Sequence, residues 1–381
     1  MSEVYPTLTA LFTDIADAIR ETTGDTDLII ADDFPDVIRD SLQVKPYLTF
    51  KSPNSFTLAV KDTTKHWDGT LEYSTDASTW STWDGTTTLS STTNGSSNVL
   101  YLRGTGNTVI TGNNTNYKWV LTGTDIKCIG NIENLLDYAT VASGNHPTMA
   151  NYCYYYMFLG CTSLTQAPAL PATTLAANCY QYMFWGCTSL TQAPELPAMT
   201  LANYCYYGMF NGCTSLTQAP ALPATTLAFG CYYAMFEGCT ALTQAPALPA
   251  TTLAEGCYRS MFKRCTSLTK APNMLPATTL VDNCYRFMFE FTAITAIPRI
   301  TATTYATDCC KGMFDDIKTL NVYSSSGEGH NYGWTAPAST YCSGMFGSDD
   351  GESEWAKLDG SNFPNSGTPT EGVTYYFATV D

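Results

Sequence analysis

Positive charge is scarce in this chain. Of 381 residues only 18 are Lys or Arg against 34 Asp or Glu, a formal charge of −16 at pH 7. Phosphate neutralisation needs basic side chains, so the balance argues against a nucleic-acid partner. Histidine is scarcer still. His66, His146 and His330 are the full complement, each in turn-like sequence without a repeated partner. The sequence has no G-x-S-x-G, no phosphate loop and no H-E-x-x-H. A glycosidase needs two facing carboxylates, and five successive repeats hold only Glu195, Glu237, Glu255 and Asp282. No enzyme activity and no cofactor are expected. Long apolar runs are missing, so no membrane insertion is expected. The opening Met1-Ser2-Glu3-Val4-Tyr5-Pro6 has neither a basic nor an apolar region of the kind a secretion signal carries. Cysteine is plentiful, with 15 residues, yet there is no C-x-x-C and no histidine beside the thiols, so no zinc or other metal site is expected.

What the chain does have is repetition. The unit C-Y-Q-Y-M-F-W-G-C-T-S-L-T-Q-A-P-E-L-P-A-M-T-L-A-N, Cys179 to Asn203, has counterparts starting at Cys153, Cys205, Cys231 and Cys257 at a spacing of 26, then at Cys284 after 27 and Cys309 after 25. A fixed period of this size marks a solenoid. Met183, Phe184, Leu190, Ala193, Leu196 and Leu201 have apolar equivalents in neighbouring units. One unit cannot enclose a core, so each must bury these residues against the next coil. Cys, Met and Phe at offsets 0, 4, 5 and 8 predict a short helix in every coil, ended by Gly160, Gly186, Gly212 or Gly238. The L-T-Q-A-P-x-L-P stretch that follows reads as extended, because each proline disfavours the α region for its predecessor. Its proline also removes one ladder hydrogen bond, so very short strands are expected. The repeat erodes at Phe289-Glu290-Phe291-Thr292 and Met313-Phe314-Asp315-Asp316, and a last degenerate copy lies at Cys342-Ser343-Gly344-Met345-Phe346. The cysteines recur in register as small buried side chains, so free thiols are expected rather than disulfides.

Met157-Phe158-Leu159-Gly160-Cys161-Thr162-Ser163-Leu164 and its copies resemble the leucine-rich repeats of BspA-like bacterial surface proteins, over nearly half the chain. The resemblance implies an α/β leucine-rich-repeat solenoid of about seven coils with terminal caps. Gln192-Ala193-Pro194 departs from it, standing where the family carries β-branched strand residues.

The remaining chain reads as four further segments. In residues 1–45, Leu8, Leu11, Phe12, Ile15 and Ile19 mark an amphipathic helix, and Val37, Ile38 and Leu42 a second. Two helices this small bury too little to stand alone, so they are read either as an assembly handle, giving a homo-oligomer or a docked tail, or as a frayed arm. The run Thr13 to Arg20 with Ala31-Asp32-Asp33-Phe34-Pro35-Asp36 resembles the N-terminus of tail proteins from phages of gut bacteria. Residues 46–124 alternate apolar and polar between turn clusters, which predicts a β-sandwich of immunoglobulin-like size. Its Trp67, Trp80 and Trp83 are read as packing residues or as a sugar platform. Residues 125–152 are expected to cap the solenoid of 153–322, and residues 323–381 to close it. In the tail, Asp349, Asp350, Glu352 and Glu354 are read as a solvated loop or a calcium loop without EF-hand spacing.

Comparing the copies with one another locates the variable positions. T-S-L-T-Q-A-P barely changes, whereas the short segment before it does. Tyr155, Tyr156, Gln181, Tyr182, Trp185, Tyr207, Asn211, Tyr233, Glu237, Arg259, Lys263 and Arg286 vary from coil to coil. Tyr, Trp and Arg dominate recognition surfaces, so this face is expected to bind a host-surface glycan or protein. The expected role is a virion structural protein, a tail-fibre or receptor-binding component joined to other tail proteins through its N-terminus. The alternatives are a secreted or cell-surface BspA-like adhesin and a passive spacer.

Overall fold

A computed structural model describes residues 45–347, 356–363 and 365–378. The expected N-terminal helices, with Leu8, Leu11, Phe12, Ile15 and Ile19, lie outside these residues, as does the acidic loop of Asp349, Asp350, Glu352 and Glu354.

The first strands form because apolar and polar residues alternate along them. In β1 (Leu48–Ser52), Leu48 and Phe50 are buried while Thr49 and Lys51 turn outward, the period-two pattern of a half-buried strand. With β2 (Thr57–Val60), β3 (Thr70–Ser74), β4 (Ser81–Trp83), β5 (Leu89–Ser90), β6 (Thr92–Asn94), β7 (Ser97–Thr105), β8 (Trp119–Thr122), β9 (Ile126–Ile129) and β10 (Leu164–Gln166) it builds two sheets. One runs β10-β9-β1-β7-β3-β4 with β6 beside β7, and the other runs β5-β2-β8. They meet on aromatic rings. Trp119 lies 6.3 Å from Phe50 and 5.7 Å from Trp83, and Trp83 lies 5.2 Å from Trp67. Trp67 and Trp83 are therefore core residues. Trp80 instead packs on Tyr47 and carries the Arg103 guanidinium 4.1 Å above its ring.

The sandwich fills the place of a coil before the first. β9 pairs antiparallel with β1 and parallel with β10, which belongs to the first coil. Ile110 and Trp119 donate their N–H groups to the Cys153 and Met157 carbonyls at 2.9 and 2.8 Å. Coil to coil the same bonds repeat: Tyr154 donates to Cys179, and Phe158 to Met183. An open solenoid end would expose such carbonyls, and here they are satisfied by the neighbouring sheet edge. Helix α1 (Asn134–Ala142), interrupted by non-helical backbone at Asp137, packs beside β7.

The short helix expected in each coil does not form, and no α-helix lies within residues 153–322. Two devices replace it. The N–H groups of Tyr152, Tyr154, Tyr156, Phe158 and Gly160 cross to the next coil, while those between them, from Tyr155 to Cys161, close turns three residues back. Every fourth residue has positive φ: Tyr152, Tyr156 and Gly160, then Asn178, Tyr182 and Gly186, and so onward to Asp308, Gly312 and Asp316. Positive φ is incompatible with an α-helix. Identical coils in register offer each alternate N–H a partner next door, and that pairing displaces the i→i−4 bonds.

Stacking of identical side chains rewards the same register. A phenylalanine column runs from Phe158 through Phe184, Phe210, Phe236, Phe262, Phe289 and Phe314 to Phe346, with centroids 5.6 to 5.8 Å apart. Tyr154, Tyr180, Tyr206, Tyr232, Tyr258 and Tyr285 form a second, at 5.5 to 5.9 Å. Leu164, Leu190, Leu216, Leu242 and Leu268 are all fully buried. The fifteen cysteines are free and buried as well. Cys187, Cys213, Cys239 and Cys265 each donate Sγ–H to a phenylalanine carbonyl of the preceding coil, at 3.0 to 3.1 Å.

On the proline side the coils touch through single bridges, such as Gln192 with Gln218 and Thr200 with Thr226, and through the two-residue pair β11 (Met274–Leu275) and β12 (Arg299–Ile300). At the far end β13 (Asn321–Val322), β14 (Tyr332–Thr335), the short α2 (Ser339–Cys342), β15 (Lys357–Leu358), β16 (Ser361–Asn362) and β17 (Thr374–Phe377) close the core. Phe363 and Phe377 pack on Phe346 at 5.0 and 5.7 Å and end the column.

Candidate functional site

The variable positions come together as one strip along the turn side of the solenoid. Equivalent positions in consecutive coils become neighbours, so sequence residues about 26 apart touch. Tyr156 stacks on Tyr182 at 5.0 Å, and Trp185 leans on both at 6.3 and 5.0 Å. Tyr182 meets Tyr207 at 4.7 Å, and Tyr207 stacks on Tyr233 at 4.6 Å. The Arg259 guanidinium lies 5.1 Å over Tyr233, and Lys263 and Arg286 lie 5.2 and 5.0 Å from the Phe287 ring. The strip is thus aromatic in its first coils and basic in its last.

Variability does not mean free solvation here. Tyr156 and Gln181 are buried, and Tyr155, Tyr182, Tyr207, Asn211, Tyr233, Glu237, Arg259, Lys263 and Arg286 are half-buried against each other. Trp185, 39% exposed, is the large apolar side chain that stands out. Burial pushes the Glu237 carboxyl above its ordinary range, against the pull of Lys263 and Arg264, while its Oε2 accepts from Asn211 at 3.4 Å. Burial likewise raises the Tyr182 and Tyr207 hydroxyls. Two of the cations are paired: Lys263 with Glu290 at 2.7 Å and Arg286 with Asp308 at 3.0 Å. Glu290, Asp315 and Asp316 bring their carboxylates within 4.8 Å of one another at this end.

Sequence comparison of the copies found these positions but missed what orients them. Tyr152, Tyr156, Tyr182, Tyr204, Phe287 and Phe291 occupy positive-φ sites that other coils fill with Gly, Asn, Asp, Ala or Ser. A non-glycine residue there costs on the order of 1–3 kcal/mol and persists where the surroundings over-determine it, commonly at binding sites. Glycine in the following coil completes the arrangement. A Cβ at Gly208 would collide with the Tyr182 ring, and one at Gly230 with the Tyr204 ring. These rings therefore lie down over bare backbone. The exchange of Tyr for Gly or Asn between copies was the available signal, but its four-residue phase follows only from the turn geometry.

Three grooves lie elsewhere, along the Gln-Ala-Pro runs. They enclose about 540, 320 and 230 Å³ and are lined by residues such as Pro168 and Pro194, Pro249 and Pro272, and Ala219 and Pro246. The histidines are dispersed: His66 contacts Asp62 at 2.6 Å and stacks on Tyr117, His146 contacts Glu133 at 2.8 Å, and His330 stacks on Tyr323.

Stacked coils in register, closed at one end by a β-sandwich, define a repeat solenoid, and its differentiated surface is the aromatic and basic strip. No family of known proteins matches the sequence, and none of the curated proteins does. Among solved structures, a leucine rich cell surface protein from Faecalibacterium prausnitzii A2-165 is similar at 18% identity and a TM-score of 0.30. The similarity covers 63% of this chain and 55% of that one, so the chain spans about half the length of that protein.

Proposed function

We propose that the chain is a non-catalytic recognition protein, a tail-fibre or receptor-binding component of a phage virion, whose solenoid presents the aromatic strip to a host-surface glycan or protein. The observation that carries recognition is the row of aromatic side chains held at left-handed backbone positions, which several other coils fill with Gly, Asn or Asp. A passive spacer has no use for that cost. Attachment to other tail proteins, and self-association, are assigned to residues 1–45, on the resemblance of Thr13 to Arg20 to phage tail N-termini. Fifteen free buried thiols suit assembly in a reducing cytoplasm, which favours this reading over the secreted adhesin. Tyr182→Ala combined with Trp185→Ala tests recognition. It is expected to weaken attachment to host cells at least tenfold with the solenoid folded, since loss of aromatic anchors costs about 2 kcal/mol or more. Attachment unchanged in that variant sinks the recognition reading and leaves the spacer. Detection of the protein on bacterial cells but not on particles leaves the adhesin.

A further inference from the structure

The strip's basic end stands out in a molecule whose formal charge is −16. Arg259, Lys263, Arg264 and Lys270 fall in one coil, and Arg286 in the next. Lys263 and Arg286 have carboxylate partners in Glu290 and Asp308. Among the described residues Arg259 and Arg264 have none, and Arg259 Nε is buried without a hydrogen-bond partner. Arg259 and Arg286 hold equivalent positions in adjacent coils, and Asp308 answers Arg286 at 3.0 Å whereas no carboxylate among the described residues answers Arg259. Arg264 is the sharper anomaly. It is exposed and has a φ of 61°, at the position that Gly160, Gly186, Gly212 and Gly238 fill in earlier coils. The chain accepts backbone strain there to place a guanidinium beside the strip. Glu237, the nearby carboxylate that feels Lys263 and Arg264, is itself half-buried and disfavoured as an anion.

We propose that Arg259 and Arg264, which lean on the rings of Tyr233 in the coil before and Phe291 in the coil after at 5.1 and 5.6 Å, are anion-binding positions at the basic end of the aromatic strip, so that the ligand is an acidic glycan. This rests on the recognition reading above. Sugar rings lay their flat C–H faces on Tyr182 and Trp185 and, in the coils between, on Tyr207 and Tyr233, and a carboxylate or sulfate several sugars further along the same glycan meets the guanidinium groups, which match such groups bidentately. An acidic peptide fits less well. Peptide recognition uses anchor pockets or an added strand, and none of the three grooves contains a strip residue.

The test uses the full chain on an array of matched glycans: neutral, hexuronate-containing, sialylated and sulfated, with an acidic peptide and a single-stranded oligonucleotide as further probes. Acidic glycans are expected to bind at least tenfold more tightly than their neutral counterparts, with the advantage shrinking as salt rises. Hexuronate against sulfated glycans identifies the anion. Arg259→Gln with Arg264→Gly is expected to erase the advantage of acidic over neutral glycans. Arg264→Gly restores the residue of the four earlier coils, so it is also expected to raise thermal stability, which a packing role for the arginine on Phe291 would not allow. Equal binding of acidic and neutral glycans, an advantage that survives the double substitution, or preference for the peptide or oligonucleotide overturns the subsite. Loss of all binding in Tyr182→Ala with no effect of the arginine changes overturns the subsite alone. Binding to no glycan overturns it together with the glycan form of the recognition reading.

Discussion

Gly208 shows how one hydrogen atom in place of a methyl group can set a surface. The Tyr182 ring lies where its Cβ would be, and its φ is 57°. Gly208→Ala is expected to lift the ring, cost about 1–2 kcal/mol in chemical denaturation, and weaken ligand binding. Stability equal to the parent protein would show that the ring is not seated there. The reverse change, Tyr182→Asn, puts a residue tolerant of left-handed backbone at a φ of 56°. It is expected to gain backbone stability while losing recognition, a separation that a purely structural tyrosine would not give. The thiols carry the pH prediction. Burial pushes Cys161 up to about 11 and Cys213 up to about 12. A thiol pKa raised by folding contributes stability that is intact below the unfolded value, near 8.5, and is lost as pH climbs toward the folded one. Stability is therefore expected to stay level to about pH 8.5 and to fall above it. Thiol titration should find nearly all fifteen cysteines in denatured, unreduced protein and few in native protein at pH 8, and extensive oxidation in the denatured sample would refute the buried-thiol account.

At the scale of the coil, stability comes from columns rather than from any single unit. Phe210 lies 5.7 Å from Phe184 and 5.6 Å from Phe236, so Phe210→Leu breaks two ring contacts at once. Each such pair contributes about 0.5–1.5 kcal/mol beyond burial, and the expected loss is about 1–3 kcal/mol. Leu216→Ala, at a fully buried position, is expected to cost about 3–5 kcal/mol through its cavity. Measured by urea unfolding, the two losses should be less than additive, because both act on one interface between coils. Losses below 1 kcal/mol for Leu216→Ala would mean that the column does not bear on global stability.

Across the whole molecule, the sandwich and the terminal strands act as lids on a column that would otherwise end in open hydrogen bonds and exposed rings. Trp119 takes part at both levels, donating its N–H to Met157 and packing its ring 6.1 Å from Phe158. Trp119→Ala is expected to destabilise the first coils more than the last, read as hydrogen exchange rising first around Cys153 to Leu164. Removal of residues 1–45 is expected to leave unit 46–381 folded while abolishing oligomerisation or particle incorporation, since repeat stability depends on neighbouring coils. A deletion variant that still assembles, or a monomeric full-length protein, would remove the attachment role from that segment.

The sequence alone determined the repeat, its period, its register and its buried rows, because a residue that recurs every coil must meet its own copies when the coils stack. It also located the variable positions and the erosion at Phe289 and Met313. Tertiary structure decided the backbone between those points. Apolar offsets of 0, 4, 5 and 8 fit a helix, yet hydrogen bonds between coils and a left-handed residue at every fourth position took the segment instead, since an intercoil N–H···O bond exists only once a second coil is in place. The same holds for the strip. The identities of Tyr182, Gly208 and Arg264 are legible in the chain, but that a ring lies on a glycine 26 residues away, and that an arginine stands where the earlier coils have glycine at positive φ, follows from packing between coils.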